Sequence, residues 1–114
     1  MTILNEQRVI AIEEHYYDDE VTAQFTGIDA RTGGFVRDKL EDVGPALLKT
    51  MDDCGIDVQV LSQGAPSAQK MDSETGVRVA AGANDRFAEL IQVHTDRFAG
   101  FAALTTADPG ASAD

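Results

Sequence analysis

The chain has 114 residues, 43% of them hydrophobic and 25% charged, with 9 Lys+Arg against 20 Asp+Glu and a formal net charge of −11. That length allows one domain at most, and the composition is that of a soluble globular protein rather than a disordered or fibrous one. The acidic balance disfavours nucleic acid and anionic membrane surfaces as partners, because both demand positive counter-charge.

One cysteine, Cys54, excludes an intrachain disulfide and lends no support to an oxidising compartment. Residues Met1 to Arg8 lack the basic start and long apolar run of a signal peptide. No stretch approaches the ~18 apolar residues of a spanning helix. A cytoplasmic protein is the expectation.

In chain order, Arg8 to Glu13 (Arg-Val-Ile-Ala-Ile-Glu) carries four consecutive apolar residues, mostly β-branched, and reads as a short strand buried on both faces. Glu14 to Leu40 shows no sustained period and contains Gly27, Gly33 and Gly34; it reads as a long excursion with a helical turn around Val21 to Phe25. Pro45 opens a helix capped by Gly44, with Leu47, Leu48, Met51 and Cys54 on one apolar face and Gly55 as its left-handed terminator. Val58 to Leu61 is a second strand, closed by Ser62-Gln63-Gly64-Ala65-Pro66.

Ser73 caps a second long helix with Glu74 in its first turn; Val77, Ala80, Ala81, Asn84, Phe87, Ala88 and Ile91 form its inner side. Phe98 to Leu104 is a third strand, and Asp108 before Pro109 caps a turn. The order β-loop-α-β-α-β implies an α/β architecture of parallel strands with right-handed crossovers. A (β/α)₈ barrel needs eight strands and typically ~250 residues. A doubly wound sheet could stop sooner but would normally add another strand pair and helices on both faces, and the first turn shows no G-x-G-x-x-G fingerprint. Three strands and two main helices cover only part of either fold, a truncated portion of a single domain with an unpaired edge on the third strand.

Chemistry concentrates in Ile12-Glu13-Glu14-His15, at the C-terminal end of the first strand. Side chains alternate along a strand, so Glu13 and His15 project to one side and Glu14 to the other, the first two about 6–7 Å apart at Cα. A carboxylate and an imidazole so placed can meet on one ion, and mixed oxygen and nitrogen ligation suits zinc, manganese or iron(II) better than calcium. Spacing alone leaves a second reading open, a solvated acidic turn running from Glu13 to Glu20.

Several segments in order carry a resemblance. Ala11-Ile12-Glu13-Glu14-His15-Tyr16 resembles the A-L-E-E-H-F opening of the γ-resorcylate and 2,3-dihydroxybenzoate decarboxylases, and more distantly that of the 5-carboxyvanillate decarboxylases. Leu48 to Ile56 is similar to their L-x-x-M-D-x-x-G-I helix end, Leu61 to Pro66 to their L-S-x-x-A-P loop, and Ala83-Asn84-Asp85 to their A-N-D segment. Asp96 to Leu104, followed by Asp108-Pro109, is similar to D-R-F-x-x-F-A-x-L followed by D-P. The resemblance, to the amidohydrolase-related family of the amidohydrolase superfamily, spans residues 8 to 110 and implies that the chain is the N-terminal part of a (β/α)₈ barrel.

It implies that Glu13 and His15 are ligands of a divalent metal, zinc or manganese. The superfamily's hydrolases usually carry His-x-His there, so Glu13 tilts the chain toward the aromatic-acid decarboxylases. It further implies that Ala65 leaves room for a flat substrate ring and that Phe25 covers it, although Asp18-Asp19-Glu20 and Thr32-Gly33-Gly34 depart from the family pattern around Phe25. Glu14 falls outside the ligand set, as a supporting or salt-bridging residue.

The implied reaction is metal-dependent, non-oxidative decarboxylation of a hydroxylated aromatic carboxylic acid, in an enzyme commonly homo-oligomeric and roughly 300 residues long. The catalytic acid and the remaining ligands are expected beyond Asp114, and 114 residues alone are expected to be inactive. Two alternatives stand: a metal-dependent hydrolase on the same scaffold, and a non-catalytic remnant that persists by pairing with another subunit. His94 reads as a surface residue at a helix end, Asn84 as a core hydrogen-bonder, and Cys54 as a buried small hydrophobe.

Overall fold

A computed structural model describes residues 7–31 and 35–114. Three parallel strands, β1 (Ile10–Tyr16), β2 (Val58–Gln63) and β3 (Phe98–Gly100), form one sheet in the order β1-β2-β3. The two main helices are α4 (Pro45–Cys54), joining β1 to β2, and α5 (Ser73–Val93), joining β2 to β3. Four shorter ones, α1 (Asp19–Thr22), α2 (Gly27–Arg31), α3 (Phe35–Glu41) and α6 (Pro109–Ala113), complete the described elements. This is the N-terminal part of a (β/α)₈ barrel with its sheet unclosed.

The core lies on one side of the sheet. Tyr16, Leu61 and Phe98, one from each strand, pack with Met51 of α4 and Phe87 of α5, and Leu47, Leu48, Ile56, Leu90 and Ile91 close around them. The opposite side stays open, with Ile10 52%, Ile12 67% and Phe101 66% exposed. Overall extents of 60 × 34 × 20 Å suit a sheet with one layer of helices, at about 10 Å per layer.

α4 follows its sequence signals. Gly44 precedes Pro45 at the first helical position, and Gly55 ends the helix at φ 71°, a left-handed conformation that an L side chain resists. Met51 is fully buried, but Cys54, expected inside, is exposed, because the helix ends there and the chain turns back toward β2.

Several expectations are corrected. The first strand begins at Ile10 and runs to Tyr16, beyond Glu13, because pairing with β2 continues to Tyr16 opposite Gln63. β3 is shorter than expected and ends at Gly100. The excursion from Glu14 is largely helical where described; Thr32-Gly33-Gly34 lie outside the described residues. Asp72, not Ser73, caps α5, its carboxylate accepting from the Thr75 N–H at 2.9 Å.

The buried side of α5 is Gly76, Val79, Ala80, Ala83 and Phe87, while Ala81 and Ala88 face solvent. The helix is turned so that Gly76 meets Thr105, a contact too close for any Cβ, and Val79 meets Val21 of α1. Asn84 bonds the core backbone as expected, donating to the Ala103 carbonyl at 2.9 Å and accepting its N–H at 2.7 Å. Asp108 caps the short helix α6 through the Ala111 N–H.

Asp18 ties the exit of β1 to the rest of the fold. Its carboxylate caps α1, accepting from the N–H groups of Glu20 and Val21, and takes two hydrogen bonds at 2.8 Å from the Arg86 guanidinium of α5. Its own N–H donates to the Gln63 side chain at the end of β2. Burial pushes the carboxyl up, but the Arg86 hydrogen bonds and those from Val21 and Glu20 outweigh it and hold the group below the usual carboxylate range.

A carboxyl depressed on folding contributes stability that is fully present above its unfolded pKa of about 3.9 and is lost as pH falls through the folded value. Asp18→Asn is therefore expected to lower the urea midpoint at pH 7 and to flatten the acid limb of the stability profile below about pH 4. An acid limb identical to the parent chain's would assign the acid sensitivity to other carboxylates.

Candidate functional site

β1 is not a regular strand. Ala11 stands opposite Gln59 of β2 but Glu14 stands opposite Leu61, so three steps on β1 match two on β2. One extra residue is accommodated as a β-bulge, and Glu13 within it takes φ 63°, a conformation uncommon for a non-glycine residue. Unbroken alternation from Ile10 would place Glu13 and His15 on the face of Ala11, opposite Ile10 and Ile12. The bulge reverses that order: Tyr16 turns into the core at 5% exposure, and Glu13 and His15 turn to the open face.

Glu13 and His15 line one concavity of ≈ 650 Å³ together with Ile12, Val60, Ser62 and Phe101. Its floor is apolar and its polar groups gather at the C-terminal ends of β1 and β2, the end where parallel α/β barrels place their active sites. The bulge also brings His15 into register with Ser62, whereas counting on regularly from Ala11 and Gln59 would set it against Gln63. His15 Nδ1 and Ser62 Oγ lie 3.1 Å apart. Glu14 is half-buried opposite Leu61, outside the concavity, and forms no ion pair with a described residue.

The other two predicted site residues sit apart from this pair. Ala65 is exposed on the loop after β2, joined to Pro66 by a cis peptide, and its carbonyl accepts from the Tyr17 hydroxyl at 3.3 Å. Phe25 follows α1, packs edge-on against Tyr17 with ring centres 5.7 Å apart, and lines a separate cavity of ≈ 190 Å³ with Pro66, Lys70 and Met71. Tyr17 is the bridge between them. His94 ends α5 and rests edge-on against Phe98, remote from the concavity.

Carboxylate and imidazole are donors that manganese and zinc accept. Glu13 and His15 supply one of each to the same concave face, so the donor chemistry fits a divalent ion as two of its ligands. A catalytic site of this kind needs about three protein ligands. Among the described residues no group of three or more His, Cys, Asp or Glu is placed to hold an ion. Nor is any described helix long and apolar enough to cross a membrane.

By sequence Ser62 is only the first residue of the turn closing the second strand; its partnership with His15 depends on the register slip, which no local pattern announces.

No protein-family profile matches the chain. It is 36% identical over 110 residues to the γ-resorcylate decarboxylase of Rhodococcus jostii (strain RHA1), an alignment covering 95% of this chain and 33% of that protein. Among solved structures, the dihydroxybenzoic acid decarboxylase of Polaromonas sp. JS666, with bound manganese and the inhibitor 2-nitroresorcinol, superposes with a TM-score of 0.79 at 33% identity, covering 93% of this chain and 32% of that one. The 5-carboxyvanillate decarboxylase of Sphingomonas paucimobilis gives a TM-score of 0.82 at 30% identity, covering 93% and 37%. The chain thus spans about a third of the length of the curated relatives it matches. Over nearly all its own length it resembles the aromatic-acid decarboxylases of the amidohydrolase superfamily, of the γ-resorcylate and dihydroxybenzoate type.

Proposed function

We propose that this chain forms the opening portion of a single barrel domain in a metal-dependent, non-oxidative decarboxylase of hydroxylated aromatic carboxylic acids, with Glu13 and His15 as two ligands of its divalent ion. The observation that carries this reading is the bulged first strand, which turns both side chains onto one apolar concavity at the C-terminal ends of the strands. Likeness to decarboxylases, one of them solved with manganese, supports the reaction class and the ion.

A bound manganese or zinc supplies Lewis acidity and a template for substrate carboxylate and hydroxyl oxygens. Residues of this chain would contribute to the positioning. Ile12, Val60 and Phe101 offer an apolar floor on which a flat ring can lie. Ala65 and Phe25, joined to each other through Tyr17, lie apart from this floor, and Phe25 lines a separate cavity, so neither is assigned a contact with the ring. Protonation of the ring carbon is assigned to no residue of this chain.

The test is a chimera in which this chain replaces the matched third of the Rhodococcus jostii enzyme, assayed for manganese-dependent release of carbon dioxide from γ-resorcylate. Active chimera is expected, and His15→Ala or Glu13→Gly is expected to lower manganese affinity by more than the about 100-fold typical of supporting residues. Glu13→Gly separates ligand from scaffold, because glycine accepts the positive φ and spares the bulge a strain of about 1 kcal/mol. Undiminished ion binding in both variants, or a folded chimera without activity, would reject the reading.

A further inference from the structure

We propose that Ser62 is a positioning residue that sets the tautomer of His15, accepting the Nδ1–H and so leaving Nε2 bare toward the concavity. The inference rests on the reading of His15 as a ligand, but its own observations are geometric. His15 Nδ1 and Ser62 Oγ lie 3.1 Å apart, and the two residues are direct cross-strand partners. That pairing exists only because the bulge between Ala11 and Glu14 shifts the register by one.

Neutral imidazole has one N–H and one lone pair, so fixing either nitrogen fixes both. With Nδ1 facing a hydroxyl across the strands, only Nε2 can offer a lone pair to an ion. Ligating histidines commonly donate their other N–H to an acceptor that holds the ring's orientation. A serine hydroxyl on the neighbouring strand serves that role here, on a rigid element rather than a loop. The opposite direction, with the serine hydroxyl donating to Nδ1, would leave a proton on Nε2 and close the ring to an ion.

The test uses the 114-residue chain with ¹⁵N-labelled histidine, read by long-range nitrogen–proton correlation above the imidazole titration range, with His94→Gln to identify the His15 signals. The parent chain is expected to show the Nδ1–H form, Ser62→Ala to shift the population to Nε2–H, and Ser62→Thr, which keeps the hydroxyl, to retain the Nδ1–H form. In the chimera, which supplies the remaining ligands, affinity for manganese alone, followed by its paramagnetic resonance, is expected to fall about 10–100-fold in Ser62→Ala and to recover in Ser62→Thr. A dominant Nε2–H form in the parent chain, or a tautomer indifferent to Ser62→Ala, overturns the proposal. A serine-dependent tautomer in a folded chimera that does not bind manganese upholds Ser62's control of the ring and overturns the ligand reading alone.

Discussion

Phe98→Ala is expected to lower the unfolding free energy by about 3–5 kcal/mol, while Phe101→Ala, three residues on, changes it by no more than about 0.5 kcal/mol. The sequence makes the two phenylalanines look alike. Phe98 opens β3 at 2% exposure and fills the space between Tyr16, Met51, Leu61 and Phe87, with the His94 ring against its edge. Truncation there forfeits the transfer energy of the ring and leaves a cavity that three strands and two helices surround. Phe101 is 66% exposed on the open face and loses little that water does not replace. A chain of this size has about 6–17 kcal/mol in all, so the first loss is a large share of it. A larger shift in urea midpoint for Phe101→Ala would show that the core lies on the other side of the sheet, and equal shifts would show that both faces are packed.

Gly100→Ala is expected to destabilise by about 3 kcal/mol, at the upper end for an added methyl group. A Cβ at Gly100 would overlap two ring carbons of Phe87 and stand 2.8 Å from the Leu61 carbonyl oxygen. The Phe87 ring cannot swing aside freely, because it stacks on Tyr16 with centres 4.5 Å apart. The Leu61 carbonyl is held in the sheet by the Phe101 N–H at 3.0 Å. In a Phe87→Leu background the same alanine should cost less, since the ring contact is gone and only the carbonyl contact remains. Strict additivity of the two changes, measured by denaturant unfolding, would place the clash elsewhere.

Much of the scaffold was legible from local pattern. α4 announced both ends, because Gly44-Pro45 and Gly55 are residues whose backbone preferences act without help from distant neighbours. The two apolar runs at Ile10 and Val58 read as parallel strands and pair as such. The inner face of α5 was misjudged by a part turn, since small residues surround the helix and the sequence gives no weight to one alanine over another. Packing against Thr105 and Val21 chose Ala80 and Ala83 over Ala81 and Ala88. Asp18, passed over as part of an acidic turn, proved a hub because Arg86, 68 positions away, reaches it.

Sequence alone determined the α/β class, the parallel pairing, the resemblance to aromatic-acid decarboxylases and the presence of a carboxylate and an imidazole two residues apart. These follow from side-chain type and short-range spacing, which tertiary structure does not alter. Only the folded chain decided which way that pair faces. A strand's period of two makes every side chain's direction hostage to one inserted residue, and whether a residue is inserted depends on how the partner strand aligns. The slip at Glu13 buried Tyr16, opened Glu13 and His15 to the concavity, and set the imidazole opposite Ser62. That alignment is settled by the burial of Tyr16, Leu61 and Phe98 together, a long-range agreement among three strands that no single segment contains.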